Sequence, residues 1–182
     1  MVGRSAYVSV LDLFSVGVGP SSSHTVGPMR AAKAFVTTLA ADDTLGTVAG
    51  LRVVLCGSRG ATGGGHGTPD AAVAGLLGLD PETCDPARVP GSWEKLGDGA
   101  PVTLLGRHRI TMTSDDVRLA PLTRMPGHPN GMRFTALDAD GTTVAEEAYY
   151  SVGGGFVLTA AELEAAAANE AAQVGAELAG CR

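Results

Sequence analysis

The chain has 182 residues and a formal net charge of −6, and 45% of its residues are hydrophobic. This length corresponds to about one domain, and the hydrophobic fraction allows a sizeable buried core. The negative charge argues against a general nucleic-acid binder and against attraction to an anionic membrane surface. No apolar stretch is long enough to span a bilayer and no secretory signal pattern is present, so we expect a globular cytoplasmic protein.

The cysteines and histidines do not suggest a metal site within this chain. Cys56, Cys84 and Cys181 are odd in number and far apart, which argues against a disulfide framework or a four-thiolate site. The four histidines are also scattered, without the short spacing of metal-ligand pairs. Cys56 closes an apolar run, and we expect it to be a packed thiol rather than a nucleophile.

The first half of the chain alternates apolar runs with two glycine-rich loops. Val8–Phe14 indicates a strand or helical turn, and the residues after Pro28 have the apolar spacing of a helix. Leu51–Cys56 is short, branched and bounded by glycine, which predicts a strand. Thr68, followed by Pro and Asp, predicts the N-cap of a buried helix over residues 71–79.

The second half is dominated by strand-like runs and ends in a helix. The runs are Val102–Leu105, Arg109–Thr113, Arg133–Asp138 and Thr142–Tyr150. Asp140-Gly141 predicts a hairpin between the last two, and Thr159 with Glu162 predicts a capping box for a final, alanine-rich helix. The pattern predicts a single α+β domain, with a mixed or antiparallel sheet and hairpins packed by about three helices.

The first glycine-rich loop places hydroxyl groups and a histidine just before a predicted helix. Its candidate residues are Ser21, Ser22, Ser23, His24 and Thr25. Hydroxyls, backbone N–H groups and the positive end of a helix dipole suit a carboxylate or phosphate. An ordinary loop that only caps its helix explains the same residues equally well.

The second glycine-rich loop, Gly60–Asp70, contains His66 between two glycines. It lacks the lysine of a phosphate-binding loop and does not match a dinucleotide-binding pattern, so nucleotide binding is not expected. The neighbouring glycines leave the His66 ring open to a ligand, and the following helix dipole favours the neutral imidazole, which can act as a base. The alternative is a flexible loop with an incidental histidine.

Two further histidines lie in predicted turns. His128 and Asn130 belong to the segment GHPNGM, where a tight turn without chemistry is the favoured interpretation. His108 lies between two predicted strands, and we assign it no role. The residues alone therefore indicate an anion-binding pocket with one or two neutral histidines.

Four stretches, taken together, resemble the β domain of the iron–sulfur L-serine dehydratases. They are VLDLFSVGVGPSSSHTVGPM, GATGGGHGT, HPNGMRFTALD and AYYSVGGGF. The resemblance covers Val8 to Phe156, and it departs from the family at Gly64, where the family commonly has lysine, and at the inserted Pro69. It implies residues 1–157 as the β domain and residues 158–182 as a helix or linker toward a separate α domain.

The resemblance implies a lyase of amino-acid metabolism and gluconeogenesis that converts L-serine to pyruvate and ammonia without pyridoxal phosphate. In that family a 4Fe-4S cluster, held by cysteines of the α domain, acts as a Lewis acid on the substrate. The α domain is fused or supplied as a second subunit, so this chain would be inactive alone. A homodimer is the default assembly.

The resemblance also ranks the candidate residues. His66 is the first candidate for proton transfer, and His24 with Ser21, Ser22 and Ser23 would hold the substrate carboxylate or orient the base. Thr25 and Thr68 join them as substrate-binding candidates, followed by His128 and Asn130. Two alternatives remain. The first is a stand-alone amino-acid or anion sensor, since the fold is similar to the allosteric substrate-binding domain of some D-3-phosphoglycerate dehydrogenases. The second is a structural dimerisation domain.

Overall fold

The computed structural model describes residues 24–169, which form helices, a five-stranded sheet and a separate hairpin. The helices are α1 (Val26–Ala41), α2 (Ser58–Thr62), α3 (Thr68–Leu76) and α4, which begins at residue 160 and reaches residue 169, the last one described. The strands are β1 (Gly50–Cys56), β2 (Ala100–Leu104), β3 (His108–Met112), β4 (Val117–Ala120), β5 (Gly131–Leu137), β6 (Thr143–Gly153) and β7 (Phe156–Thr159). The predicted element Val8–Phe14 lies outside the described residues.

The large sheet is mixed, as the sequence predicted. Its strand order is β4-β1-β5-β6-β7, in which β1 runs parallel to β4 and all other neighbours are antiparallel. Val53 of β1 therefore lies between Val117 and Phe134. Strands β2 and β3 form a two-stranded antiparallel sheet of their own. The α+β class is confirmed. The described residues form four α-helices where about three were expected, and the additional helix is α2.

Helix α1 packs on one face of the large sheet, and α3 packs against α1 and β2. Leu51, Val53 and Leu55 occupy every second position of β1, so their side chains lie on one face of the strand. All three are buried in the same core as the apolar side of α1. The two helices touch at Gly75 of α3, where a Cβ atom would lie 2.2 Å from the backbone oxygen of Met29. Only glycine allows this approach, so Gly75 determines how closely the two helices pack.

Most predicted elements are confirmed, with shifts of a few residues at their ends. The hairpin of β5 and β6 closes at the predicted turn, where the N–H of Gly141 donates to the Asp138 oxygen at 3.1 Å. At the end of β7, the N–H of Thr159 donates to Glu162 at 2.8 Å and the N–H of Glu162 donates to the Thr159 hydroxyl at 3.2 Å. This is the predicted capping box of α4.

The predicted N-cap of α3 is wrong by one residue. Gly67, with a left-handed φ of 69°, is the N-cap, and Thr68 is the first helical residue, whose side chain makes no capping bond. The chain enters the helix through a conformation that glycine adopts without strain. The helix also ends at Leu76, before the predicted residue 79.

One short α-helix and two short strands of the described residues were not predicted. α2 overlaps the start of the second glycine-rich loop, where glycine and threonine obscure a helical pattern. Strands β4 and β7 have four residues each, and both form at the edges of the sheet by pairing with longer strands. Because β7 extends to Thr159, it crosses the predicted boundary after residue 157, and that division of the chain stays a prediction. No helix within residues 24–169 is long and apolar enough to cross a membrane.

Candidate functional site

The structure brings His24, just before α1, next to the second glycine-rich loop, just before α3. His24 precedes α1 by two residues and His66 precedes α3 by two residues. The centroids of their imidazole rings lie 5.1 Å apart, with an angle of 51° between the ring planes. His66 is exposed and His24 is half-buried, so at least one imidazole is open to a ligand.

A tight turn holds His66, rather than a flexible loop. The backbone oxygen of Gly63 accepts hydrogen bonds from the N–H groups of His66, at 3.2 Å, and Thr68, at 3.0 Å. Two bonds to one carbonyl wind the segment into a compact turn. The glycines around His66 therefore serve the geometry of the turn as well as access to the ring.

The two helix N-termini differ in how well they suit an anion. α3 carries Asp70 in its first turn, and that carboxylate already accepts a bond from the N–H of Trp93 at 2.8 Å. α1 has no acidic residue in its first turn. The positive end of the α1 dipole is therefore not neutralised by a side chain of its own first turn, and α1 is the better anion-binding terminus.

Helix α2 contacts the His24 ring through Thr62. The Thr62 hydroxyl lies 3.1 Å from Nε2 of His24 and 3.0 Å from the backbone oxygen of Ser58. A hydroxyl has one hydrogen to donate, and the Ser58 carbonyl can only accept. The Thr62 oxygen therefore accepts at its other contact, which places a hydrogen on Nε2 of His24 and orients the ring.

The other end of α2 contacts the loop that contains His128 and Asn130. The Ser58 hydroxyl donates to Oδ1 of Asn130, and Nδ1 of His128 accepts from the N–H of Asn130 at 3.1 Å. The N–H of Ser151 in β6 donates to the Asn130 backbone oxygen at 3.2 Å. This short helix thus connects both predicted groups of site residues, since its two ends are only about 6 Å apart.

An open cleft of about 560 Å³ lies beside this connection. Its polar lining comes from Ser58, His128 and Arg124, whose side chain is exposed. Arg124 was missed by the sequence analysis, because an isolated arginine in a loop has no pattern that distinguishes it from other surface cations. Its guanidinium can pair with a carboxylate in bidentate fashion.

Two buried hydroxyl groups near these loops have no hydrogen-bond partner in the described part of the chain. They belong to Thr68 and Ser151, and both side chains are 0% exposed. Leaving a buried polar group unsatisfied costs about 1–3 kcal/mol, so each of these two hydroxyls calls for an explanation such as a bound water, an ion or a functional role. Ser151 was missed by the sequence analysis, although it lies in the matched stretch AYYSVGGGF, because a serine in a strand is usually a surface residue.

The predicted site residues therefore fall into one connected set. His24, His66 and Thr68 lie at the converging helix N-termini, together with Thr25, which is 4% exposed. His128 and Asn130 join them through α2. Ser21, Ser22 and Ser23 lie outside the described residues, and their predicted role stays a prediction.

The described cysteines do not fit an iron–sulfur site. Cys56 packs with Met125 and Tyr150, whereas Cys84 lies against a different cluster around Met29. Burial raises the pKa of the Cys56 thiol, although Arg133 and Arg118 oppose that rise. Within residues 24–169, no group of three or more His, Cys, Asp or Glu side chains is arranged to hold a metal ion.

Comparison with known proteins identifies the family of this chain. The serine dehydratase beta chain family matches residues 9–162. An L-serine dehydratase of Streptomyces coelicolor is 49% identical over 152 residues, which cover 83% of this chain and 33% of that protein. The Mycobacterium bovis L-serine dehydratase is 45% identical over 84% of this chain and 33% of its own length. L-serine dehydratase 1 of Escherichia coli is 39% identical over 90% of this chain and 36% of its own length.

This chain spans about a third of the length of these curated relatives. The family match extends over both glycine-rich loops, the His128 loop and the β6–β7 turn. The chain belongs to the serine dehydratase beta chain family.

Proposed function

We propose that this chain is the β part of an L-serine dehydratase and acts with a separate catalytic α domain to convert L-serine to pyruvate and ammonia. The observation that carries the proposal is the pair His24 and His66 at the converging helix N-termini, inside the family match. The relatives that this chain resembles are named L-serine dehydratases and are about two and a half times as long. The additional length of those relatives fits a second domain.

The geometry suits the binding and deprotonation of a small amino acid. The N-terminus of α1 would hold the substrate carboxylate, with the hydroxyls of Thr68 and Ser151 as hydrogen-bond donors that have no other partner in the described structure. His66 is exposed and would take the proton from Cα, after which the β-hydroxyl leaves as water. Hydrolysis of the resulting enamine then releases pyruvate and ammonia. His24, oriented by Thr62, would assist His66.

The proposed enzyme uses a 4Fe-4S cluster and no pyridoxal phosphate. Such a cluster would supply Lewis acidity toward the substrate hydroxyl and carboxylate. Its cysteine ligands would belong to the α domain, because Cys56 and Cys84 pack in separate apolar clusters of this chain. On this proposal the chain is inactive without that domain, and we expect the assembled enzyme to be a homodimer.

Replacement of His66 in the assembled enzyme tests the proposal. We expect His66→Ala to lower kcat for anaerobic pyruvate release by about 10²–10⁴-fold, the usual loss of a general acid or base. His108→Gln is the matched control, since His108 contacts the Val48 backbone oxygen through Nε2 and lies in a different part of the fold. Turnover by His66→Ala within a few-fold of the control would refute the assigned role.

A second candidate function is a stand-alone sensor of amino acids or other anions. The cleft with Arg124 and His128 favours it, because an arginine and a histidine beside an open space suit a carboxylate. The proposed likeness to the allosteric substrate-binding domain of some D-3-phosphoglycerate dehydrogenases would favour this sensor function. Tight binding of L-serine by this chain alone, measured by calorimetry, together with no turnover by the assembled protein, would support the sensor over the lyase.

A further inference from the structure

Arg30, in the second turn of α1, connects three parts of the chain. Its Nη1 donates to the backbone oxygen of Gly155 at 2.9 Å, and its Nη2 forms an ion pair with Glu82. The side chain is 30% exposed, so solvent only partly competes for these contacts. The contact with Gly155 joins residues that are 125 positions apart in the sequence.

The turn that Arg30 contacts has little rigidity of its own. Gly153, Gly154 and Gly155 have φ values of 109°, 58° and 80°, and the pairing of β6 with β7 shifts register between Ser151 and Gly153. Three consecutive glycines have more backbone freedom than any other tripeptide, so contacts from outside the turn must select one conformation.

The turn is packed directly on the N-terminus of α1. A Cβ atom at Gly155 would lie 2.7 Å from Cγ1 of Val26 and 3.2 Å from Nη1 of Arg30. Val26 is the first residue of α1, and His24 comes two residues earlier. The bond from Arg30 therefore holds the turn at the end of α1 where the candidate site lies.

Ser151 is the buried polar residue of β6 that leads into this turn. It precedes the turn, lies on the same side of β6 as Tyr149 by strand alternation, and has a fully buried hydroxyl without a partner in the described structure. Tyr149 packs against Phe134 in the core between the sheet and the helices, so the hydroxyl of Ser151 faces the helices too. A displacement of the turn would move this hydroxyl relative to α1.

We propose that Arg30 is a positioning residue, which fixes the Gly153–Gly155 turn on α1 and thereby sets the place of the Ser151 hydroxyl in the site. This inference rests on the proposed function, since it assigns Ser151 to substrate binding. Lys33 offers a matched comparison. It lies one turn further along α1 and forms a similar ion pair with Asp80 at 2.8 Å, in the same loop as Glu82, while no described contact joins it to the turn.

The test compares Arg30→Met with Lys33→Met in the assembled enzyme. Each variant removes one partly exposed ion pair, a loss that should lower the Tm by no more than about 4 °C, and Arg30→Met also removes the bond to Gly155. Arg30→Met should lower kcat/KM for L-serine by about 10- to 100-fold, the size expected when a binding group is displaced by a fraction of an ångström to 1 Å. Lys33→Met should stay within about twofold of the wild type, and equal kinetic losses in both variants would overturn the proposal.

Two further measurements separate the turn contact from the ion pair and from the proposed function. Glu82→Gln leaves the bond to Gly155 in place and should keep wild-type kinetics, so a loss as large as that of Arg30→Met would overturn the proposal. Hydrogen exchange of the Gly153–Phe156 amides should accelerate in Arg30→Met and not in Lys33→Met, and unchanged exchange would also overturn it. Hydrogen exchange can be measured without enzymatic activity, so it tests whether Arg30 holds the turn independently of the proposed function. Failure of the wild-type assembly to turn over L-serine would refute the proposed function and leave this test in place. If Arg30→Met does not fold, Arg30→Lys replaces it, because one ammonium group cannot reproduce the guanidinium fork.

Discussion

Replacement of Gly75 by alanine sets two opposing effects against each other in α3. Alanine is favoured over glycine in a helix by about 1 kcal/mol, so helix propensity alone predicts a more stable protein. The new Cβ atom, however, would lie 2.2 Å from the Met29 backbone oxygen and 2.8 Å from Cβ of Ala32. Non-bonded heavy atoms attract at about 3.5 Å, so α1 and α3 would have to separate by roughly 1 Å.

The packing effect should exceed the gain in propensity. Overpacking costs about 1–3 kcal/mol, and the upper end applies here because the atom that Gly75→Ala meets is backbone and cannot rotate away. Subtraction of the propensity gain leaves a net loss of about 2 kcal/mol in the free energy of unfolding. For a chain of this size that loss corresponds to a fall in Tm of about 4–8 °C.

Thermal unfolding followed by circular dichroism measures the effect, with Gly46→Ala as the control. No atom lies within 4 Å of the Cβ position at Gly46, and that residue is exposed, so the control should leave the Tm unchanged or raise it slightly. A Tm of Gly75→Ala equal to or above that of the wild type would refute the reasoning. It would mean that the two helices can part at little cost, and that their close approach does not define the distance between His24 and His66.

Two other predictions address buried hydroxyl groups. Thr68→Val removes the unpartnered Oγ1 without changing the side-chain shape, so the free energy of unfolding should stay equal or rise by up to about 1 kcal/mol. The same variant should lower kcat/KM of the assembled enzyme. Denaturant unfolding measures the first effect and the pyruvate assay the second, with Thr68→Ser, which keeps the hydroxyl, as the control. Burial raises the pKa of Tyr149 to about 12, with a further contribution from the Glu147 carboxylate, against about 10 in the unfolded chain. The folded state therefore holds this proton more tightly, so its contribution to stability is complete below pH 10 and is lost as the pH rises from about 10 to 12. Denaturant unfolding across that range should show a steeper fall for the wild type than for Tyr149→Phe, and parallel curves would contradict the prediction.

Local pattern was sufficient to predict the main elements and the family. Strand β1, the β5–β6 hairpin and the capping box of Thr159 follow from branched residues, an Asp-Gly turn and a Thr–Glu spacing, all of which act within a few residues. The two histidine loops were identified for the same reason, since serine, glycine and histidine before a helix are visible in sequence. The loop motifs also carried the resemblance that the family match confirms.

The prediction failed where a structure depends on distant partners. Strand β4 has four residues and exists because β1 offers it a parallel partner more than sixty positions away in sequence. The N-cap of α3 shifted from Thr68 to Gly67 because the turn around His66 required a left-handed residue there. Ser151 was not recognised as a site candidate because its burial comes from helices packed on its strand and not from its own neighbours.

The amino-acid sequence alone thus determines the longer helices and strands and the β5–β6 turn, because propensity, capping and turn chemistry are local. It also determines that histidines and hydroxyls come just before two helices. Only the tertiary structure decides that His24 and His66 lie 5.1 Å apart, that Thr62 orients His24, and that Arg30 reaches Gly155. Those contacts join residues separated by tens of positions or more, and their geometry comes from the packing of α1 on the sheet and of α3 against α1, which no local pattern specifies.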